Sequence, residues 1–171
     1  MNVKNLLHFY NAFQNLNIEI WIDGGWGIDA LLEKQTRLHE DLDIVIQEKD
    51  LKKLREYFKS QGFSEIKLEI ARPFNFVLAD GKGNEIDVHA IVLDEKGNGI
   101  YGPKENGQMY SASALEGIGK IEGQIVKCIS ATYQLESHLG YTIRAKDVQD
   151  VLALCEKFKL EIPIAYQKHV R

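Results

Sequence analysis

The chain has 171 residues, of which 44% are hydrophobic and 27% are charged, and its formal net charge is -4 at pH 7. This length and composition are typical of a globular protein with one domain, or of a core with a small appended lobe. The negative charge argues against a dedicated nucleic-acid-binding protein, which usually has a basic surface, and it permits a cationic small-molecule partner without requiring one.

The two cysteines, Cys128 and Cys155, stand in apolar surroundings and form no Cys-x-x-Cys motif. We therefore expect two buried thiols, although a disulfide between them stays open. Residues 1–16 lack the apolar run of a signal peptide, and no stretch is long enough to span a membrane. We expect a cytoplasmic protein without membrane contacts.

Apolar periodicity predicts alternating helices and strands in the first third of the chain. Apolar residues spaced by three and four indicate amphipathic helices, whereas short β-branched runs indicate strands. Gly24-Gly25 is predicted to form the turn from the first strand into the second helix, and Gly62 to end the third helix. In chain order these elements are a helix over residues 2–16, a strand over 18–22, a helix over 26–34, a strand over 41–47 and a helix over 49–61.

The rest of the chain has strand patterns followed by helical patterns. Asp80-Gly81 is predicted to join two strands in a hairpin, and Glu122-Gly123 two more. The segment 94–107 is rich in glycine and polar residues and is predicted to be a long loop, of the kind that often forms a lid or binding edge. The predicted elements are strands over 64–70, 74–79, 84–92, 118–121 and 124–128, and helices over 131–139 and 144–158.

These elements predict an α+β fold, with a mixed or antiparallel β-sheet flanked by helices and a mainly helical C-terminal part. We expect a core over residues 1–107, and a C-terminal hairpin with helices over 108–171 that packs on this core. No linker rich in proline, glycine or serine separates the two parts, so one continuous domain stays open.

Two carboxylates stand side by side at the start of the strand over 41–47. Asp41 and Asp43 are two residues apart and therefore project from the same face of the strand. Two carboxylates that lie together in a dry site repel each other unless a cation or protons offset their charge. Magnesium is the natural cation, since it takes one or two carboxylates together with substrate phosphates.

A third carboxylate, Asp87, alternates with apolar residues on the strand over 84–92 and shares a face with Glu85 and His89. If this strand lies beside the strand over 41–47, Asp87 completes a triad with Asp41 and Asp43. Such a triad can hold two magnesium ions for in-line phosphoryl transfer.

Other interpretations of Asp-x-Asp exist. A pair at a strand start can be merely solvated, and the spacing alone leaves that interpretation open. Phosphatases with an aspartyl nucleophile and many glycosyltransferases place such a pair after an apolar strand. Here the apolar residues of the strand follow Asp43, which argues against both enzyme classes.

A distinctive run of residues surrounds the carboxylates. It consists of WIDGGWGIDAL at 21–31, then Arg37, His39 and Asp41-Leu42-Asp43. This run resembles the small antibiotic nucleotidyltransferases, namely the lincosamide nucleotidyltransferases and the aminoglycoside 2″-adenylyltransferases of the DNA polymerase β-like superfamily. Their pattern is a glycine turn on a helix, Asp-x-Asp, and a later third Asp, which Asp87 matches. The resemblance implies the nucleotidyltransferase fold; it is continuous over about 20–46, recognisable at 85–90 and weak beyond.

The resemblance and the residues together assign the site. Gly24 and Gly25 are expected to bind the β- and γ-phosphates, because glycine lets backbone N–H groups approach an anion at a helix N-terminus. Asp41 and Asp43 are expected to hold the nucleotide-bound magnesium, and Asp87 to share a second ion and act as general base.

Six further residues complete the expected site. Arg37 and His39 match family positions and either bind phosphate or brace the aspartates. Lys146 either neutralises phosphate charge, as the resemblance implies, or pairs with Asp150 on its own helix. The residues expected to contact the acceptor are Glu85, His89 and Tyr101.

The expected reaction is transfer of a nucleoside monophosphate, AMP from ATP, to a hydroxyl of a small-molecule antibiotic with release of pyrophosphate. The acceptor is a lincosamide or an aminoglycoside, and it can be cationic. A nucleotidyltransferase of the toxin-antitoxin type that modifies a protein or tRNA stays open, as does a catalytically silent nucleotide-binding protein. The net charge argues against nucleic acid as a partner, and the chain is expected to be a monomer or homodimer.

Overall fold

The helices and strands of the first third fold close to their predicted bounds. The computed structural model describes residues 1–67 and 72–170, so residues 68–70 of the strand predicted over 64–70 lie outside the described residues. The elements are α1 (Val3–Asn15), β1 (Ile20–Ile22), α2 (Gly24–Leu32), β2 (Asp41–Gln47) and α3 (Leu51–Ser60). A short 3-10 helix, Glu48–Asp50, leads into α3. The glycine that ends α3, Gly62, has a φ of 85°, a conformation that other residues rarely adopt.

The remaining elements include three that the sequence patterns missed, namely two short strands and a short helix. They are β3 (Ser64–Ile66), β4 (Asn75–Ala79), β5 (Glu85–Leu93), β6 (Gly99–Tyr101), β7 (Met109–Tyr110), β8 (Gly117–Ile121), β9 (Gln124–Cys128), α4 (Ala131–Ser137), α5 (Ala145–Phe158) and α6 (Ile164–Gln167). The prediction of a long loop over 94–107 is wrong in part, because β6 pairs antiparallel with the end of β5. The short helix α6 was not predicted either.

The strands form one mixed sheet, which confirms the predicted α+β class. Within the described ranges the strand order is β3-β4-β5-β2-β1-β9-β8, and β6 and β7 extend from the second half of β5. The two central strands β2 and β5 run parallel, as do β1 and β9, while the other neighbours are antiparallel. Strands from both sides of residue 107 therefore lie in the same sheet.

The alternation of side chains along the strands gives the sheet two different faces. On β2, Leu42, Ile44 and Ile46 belong to the main core, which also contains buried residues of α1, α2 and α3. Val45 points to the other face, where it packs in a smaller cluster with Trp21 of β1 and others. Asp43 and Asp41 are two and four residues from Val45, so they share its face at the N-terminal end of β2.

Two further expectations concern single features. Cys128 and Cys155 are both free and buried, as predicted, and burial raises the pKa of the Cys128 thiol to about 12. Among the residues that the structure describes, no helix has both the length and the apolar character needed to cross a membrane.

Candidate active site

Strands β2 and β5 bring the predicted carboxylates together. The two strands pair in parallel register, which sets Asp43 opposite Asp87, Asp41 opposite Glu85 and Val45 opposite His89. A shift of the register by one residue would place these side chains on opposite faces. The alternating apolar residues of both strands fix the register, because they face the main core. They are Leu42, Ile44, Ile46, Ile86, Val88 and Ala90.

The carboxylates impose a strong electrostatic strain on one another. Burial raises the pKa of Asp43 well above its ordinary value, and the charges of Asp41, Asp23 and Asp87 raise it further. Burial also raises the pKa of Asp87, although the neighbouring His89 opposes this shift. Clustered carboxylates with raised pKa values are frequent at catalytic sites, where a bound cation restores their charge.

The donor set fits a magnesium ion that arrives with a nucleotide. One carboxylate oxygen of Asp87, Oδ1, is buried and makes no hydrogen bond within the described structure. In residues 1–67 and 72–170, no three His, Cys, Asp or Glu side chains form a ready-made metal cluster. Magnesium commonly binds one or two carboxylates and completes its ligand sphere with phosphate oxygens and water, and Asp41, Asp43 and Asp87 offer such ligands.

Asp23 is a fourth carboxylate of the site, which sequence reasoning did not single out. It is the N-cap of α2 and is only 9% exposed. Its Oδ1 accepts hydrogen bonds from the backbone N–H of Gly24 at 2.8 Å and from Gln134 Nε2 at 2.9 Å. An Asp directly before a predicted helix is the signal that could have identified this cap.

Two hydrogen bonds and a longer polar contact lead from Asp23 to the predicted general base, Asp87. The Tyr110 hydroxyl donates to Asp23 Oδ2 at 3.1 Å, since an ionised carboxylate only accepts. Burial and the charge of Asp23 raise the pKa of Tyr110 far above its usual range, so the hydroxyl keeps its proton. His89 Nδ1 lies 2.8 Å from the same hydroxyl oxygen and must donate to it, and its Nε2 lies 3.6 Å from Asp87 Oδ1.

The two glycines, Gly24 and Gly25, lie in the first turn of α2, whereas they were predicted to form a turn before this helix. Gly24 has a φ of +55°, and a Cβ at this position would overlap the Asp43 carboxylate. A Cβ on Gly25 would overlap the side chains of His39 and Arg37. Gly24 uses its N–H for the Asp23 cap, so the next N–H groups of the turn, which lack intrahelical acceptors, are the ones that can meet a phosphate.

Arg37 and His39 both contact protein side chains. The Arg37 guanidinium forms a salt bridge with Asp150 of α5 at 2.9 Å, and its Nη1 lies 3.0 Å from His39 Nδ1. His39 Nε2 in turn lies 2.5 Å from Asp29 Oδ2, and the imidazole packs on Trp26 with ring centroids 4.5 Å apart. His39 therefore braces α2, and the structure gives Arg37 a partner on α5.

Lys146 faces the carboxylates without an ion pair of its own. Its positive charge lowers the pKa of Asp43, opposing the other causes, and both side chains line the same cleft. Among the described residues Lys146 forms no salt bridge, because Asp150 pairs with Arg37 and Asp147 pairs with Arg144 at 3.0 Å. The alternative of a Lys146–Asp150 pair within the helix is therefore not found.

A cleft of about 430 Å³ lies between the end of the central strands that carry the aspartates and the C-terminal helices. The predicted residues that line it are Gly24, Gly25, Arg37, His39, Asp41, Asp43, His89 and Lys146. Tyr110, Tyr133 and Tyr141 also contribute to the walls. Of the remaining predicted residues, Asp87 and Glu85 neighbour the lining aspartates in the sheet, and Tyr101 contacts His89 with ring centroids 5.4 Å apart.

Comparison with protein sequences identifies relatives of this chain. A family model described as aminoglycoside-2''-adenylyltransferase matches residues 5–154. The lincosamide resistance protein of Staphylococcus haemolyticus is 28% identical over 149 residues, which cover 86% of this chain and 91% of that protein. A 2''-aminoglycoside nucleotidyltransferase of Escherichia coli is 47% identical over 34 residues, or 20% of this chain and 19% of that protein.

Solved structures show the same relationship. The lincosamide antibiotic adenylyltransferase LnuA with lincomycin bound superposes with a TM-score of 0.79 at 26% identity, covering 90% of this chain and 96% of that one. ANT(2")-Ia in complex with adenylyl-2"-tobramycin has the same fold, with a TM-score of 0.69 at 20% identity, covering 98% and 97% of the two chains.

Proposed function

The chain belongs to the aminoglycoside-2''-adenylyltransferase family, and from that premise we propose that this nucleotidyltransferase moves AMP from ATP to a hydroxyl of a lincosamide antibiotic. The proposal rests on one observation, the cleft that is lined by the clustered aspartates and by Lys146. The ammonium group of Lys146 forms no salt bridge in the described structure and acts on the charge of Asp43. The choice of a lincosamide rests on the similarity to a lincosamide resistance protein along most of the chain, whereas an aminoglycoside is the alternative acceptor.

Magnesium is the metal that we propose for the site. Asp41 and Asp43 hold the ion that accompanies the triphosphate, and Asp87 shares a second ion with them. When bound, the metal offsets the negative charge of the triphosphate and makes the acceptor hydroxyl easier to deprotonate. The raised pKa values of Asp43 and Asp87 support this assignment, because a divalent cation offsets the burial and the mutual repulsion that cause them.

The remaining residues of the cleft bind and orient the nucleotide. The first turn of α2 presents N–H groups beside Gly25, and the positive end of the helix favours the triphosphate. Lys146 approaches from α5 on the opposite wall and neutralises phosphate charge. Charge that develops on the departing pyrophosphate is stabilised by the same groups, which favours bond breaking.

The acceptor hydroxyl attacks the α-phosphorus of ATP, a new P–O bond forms, and the bond to the pyrophosphate oxygen breaks. The hydroxyl proton passes to the Asp87 carboxylate, which lies opposite Asp43 in the sheet and acts as the general base. His89 faces Asp87 at 3.6 Å and lines the cleft, so it is placed to contact the acceptor. Glu85 and Tyr101 flank these two residues and extend the acceptor side of the site.

A pyrophosphate-release assay tests the proposal. The purified protein is incubated with magnesium, each nucleoside triphosphate and a panel of lincosamides and aminoglycosides, and products are weighed by mass spectrometry. We expect ATP-dependent release and a lincosamide that has gained one AMP, and no product from Asp41→Asn. Release with aminoglycosides alone would replace the acceptor class, whereas release only with added tRNA or protein would contradict a small-molecule acceptor.

A further inference from the structure

Four side chains form a continuous chain of contacts from α2 to α5, beside the cleft. They are Asp29, His39, Arg37 and Asp150, which we call the strut. The contacts along it measure 2.5 Å from Asp29 to His39, 3.0 Å from His39 to Arg37 and 2.9 Å from Arg37 to Asp150. Asp29, His39 and Asp150 are 2%, 7% and 2% exposed, so water competes little for their hydrogen bonds.

Donor and acceptor chemistry fixes the direction of every hydrogen bond in the strut. A guanidinium only donates, so His39 Nδ1 accepts from Arg37 and the imidazole proton resides on Nε2. That proton is donated to the Asp29 carboxylate. At the other end Arg37 donates to both oxygens of Asp150, through Nη2 at 2.9 Å and Nε at 3.4 Å, in the two-point geometry that holds an arginine in one orientation.

The strut joins α5 to the part of the chain that carries the site. Asp29 belongs to α2, which begins at Gly24, and Arg37 and His39 directly precede Asp41. Asp150 lies four residues after Lys146 on α5, so both side chains lie on one face of this helix. A displacement of Asp150 against the core therefore displaces Lys146 against the carboxylates.

Arg37 and Lys146 differ in whether a carboxylate neutralises their positive charge. Arg37 and Arg144 each have a buried aspartate as partner, Asp150 and Asp147 respectively. Lys146 has no such partner in the described chain, and its charge acts on Asp43. The cation that meets the nucleotide is therefore the one that no buried carboxylate neutralises.

We propose that Arg37 and Asp150 are positioning residues, which set α5 so that Lys146 faces the nucleotide, and that Arg37 does not itself bind phosphate. This inference rests on the proposed function and deepens it, since it names the residues that act through Lys146. It also predicts that Asp150, whose carboxylate is paired with Arg37, matters for the use of ATP and leaves the binding of the acceptor unchanged.

A double-mutant cycle between Asp150 and Lys146 tests the inference. We expect Asp150→Asn and Arg37→Gln each to lower kcat/KM for ATP about 10- to 100-fold, the range produced by small misplacements of catalytic groups, with KM for the acceptor unchanged. In the Asp150→Asn background, Lys146→Gln should reduce kcat/KM far less than in the wild type, because Lys146 has already lost its place. The double variant Arg37→Gln/Asp150→Asn should be no worse than either single variant.

Two results would overturn the inference. Activity of Asp150→Asn at the wild-type level, with Arg37→Gln impaired, would assign Arg37 to the phosphates. Fully additive effects of Asp150→Asn and Lys146→Gln would show that Asp150 does not act through Lys146. Glu65→Gln is the control, since it breaks an exposed ion pair with Arg55 on a different part of the surface and should leave both constants unchanged.

A binding measurement separates this inference from the proposed function. The same cycle is measured by isothermal titration with ATP and magnesium, which requires no acceptor. If the wild type turns over no antibiotic, the proposed function fails, and the coupling of the two residues in ATP binding still decides the role of the strut. Where Asp150→Asn unfolds at the assay temperature, Asp150→Glu replaces it, because it keeps the charge and shifts it by one methylene group.

Discussion

Asp43 lies where β2 meets the first turn of α2, and burial with the charges of Asp41, Asp23 and Asp87 raises its pKa well above the ordinary value. A carboxyl with a raised folded-state pKa contributes stability below its unfolded pKa, and this contribution is lost as the pH rises through the folded-state pKa. We therefore expect Asp43→Asn to abolish transfer in the presence of magnesium. In metal-free buffer at pH 7–8 it should raise the free energy of unfolding, by on the order of 1–3 kcal/mol.

Denaturant unfolding across a pH series checks this sign. The advantage of Asp43→Asn should shrink as the pH falls from 7 towards 4, because the wild-type carboxyl then takes up its proton. Asp80→Asn is the control of opposite sign, since the hydrogen bond from the Asn84 side chain lowers the pKa of Asp80. An Asp43→Asn variant that is less stable than the wild type at pH 8 without metal would contradict the predicted strain.

Gly24 is the second residue of the site at which the fold restricts the side chain. It has a positive φ, and a Cβ there would overlap the Asp43 carboxylate. Gly24→Ala should therefore lower stability by more than the roughly 1–2 kcal/mol that a left-handed conformation costs an alanine, and it should impair transfer. Gly81→Ala supplies the matched control, because Gly81 has a φ of +69° and its Cβ would meet nothing within 4 Å. Equal losses in the two variants, measured by thermal unfolding, would rule out the overlap.

At the scale of elements, two turns of the sheet share one sequence pattern. Residues 80–84 are DGKGN and residues 94–98 are DEKGN, and each connects two antiparallel strands. In both turns the first Asp accepts from the backbone N–H groups two and four residues later and from the side-chain amide of the Asn. The repeated pattern, compared with the hairpin at Asp80, is the signal that could have predicted β6.

The Asn of each turn also fastens the hairpin to a distant element. Asn84 Oδ1 accepts from Asn5 of α1 at 2.9 Å, and Asn98 Oδ1 accepts from the backbone N–H of Ala112 at 2.9 Å. Asn98→Ala removes the two hydrogen bonds of the Asn98 side chain, one with Asp94 and one with Ala112. The loss should lower the free energy of unfolding by about 1–2 kcal/mol, or roughly 2–8 °C in Tm. Lys96→Ala in the same turn should have almost no effect, because Lys96 is exposed. Calorimetry of the two variants decides whether Asn98 stabilises the turn.

The sequence predicts those parts of the site that depend on neighbouring residues. A two-residue repeat set Asp41 beside Asp43 and Asp87 beside His89, and the buried apolar residues of both strands then fixed their register. These features follow from side-chain alternation in a strand and need no knowledge of the fold. Most strands and helices were predictable for the same reason, since their patterns are local.

Contacts between distant segments were not predictable in this way. Arg37 meets Asp150 across 113 positions of the chain, and Tyr110 meets Asp23 across 87. No local pattern indicates which of several acidic residues an arginine pairs with, because the choice depends on how α5 packs against α2. The sequence therefore left open whether Arg37 binds phosphate or protein, and whether Lys146 pairs within its helix.

At the scale of the whole molecule, the site is assembled from both ends of the chain. The aspartates lie on central strands, whereas Lys146 belongs to a helix of the C-terminal part, and the cleft lies between them. We expect a magnesium nucleotide in this cleft to contact both walls, with the metal at the aspartates and the phosphates at Lys146. Ligand binding should therefore stabilise the assembled state against unfolding, because the unfolded chain cannot bring the two walls together.

Thermal unfolding with and without nucleotide measures this linkage. At a free MgATP concentration of 100 times Kd we expect about 2.7 kcal/mol of stabilisation, or roughly 5–10 °C in Tm for a chain of this size. ATP with a chelator should give a much smaller shift, since the aspartates then repel the triphosphate. Asp41→Asn should reduce the difference in Tm shift between MgATP and ATP with chelator, because Asp41 acts through the metal. Lys146→Gln should reduce the Tm shift in both conditions, because Lys146 acts on phosphate directly. A shift that is equal with and without magnesium would contradict the assignment of Asp41 and Asp43 to the metal.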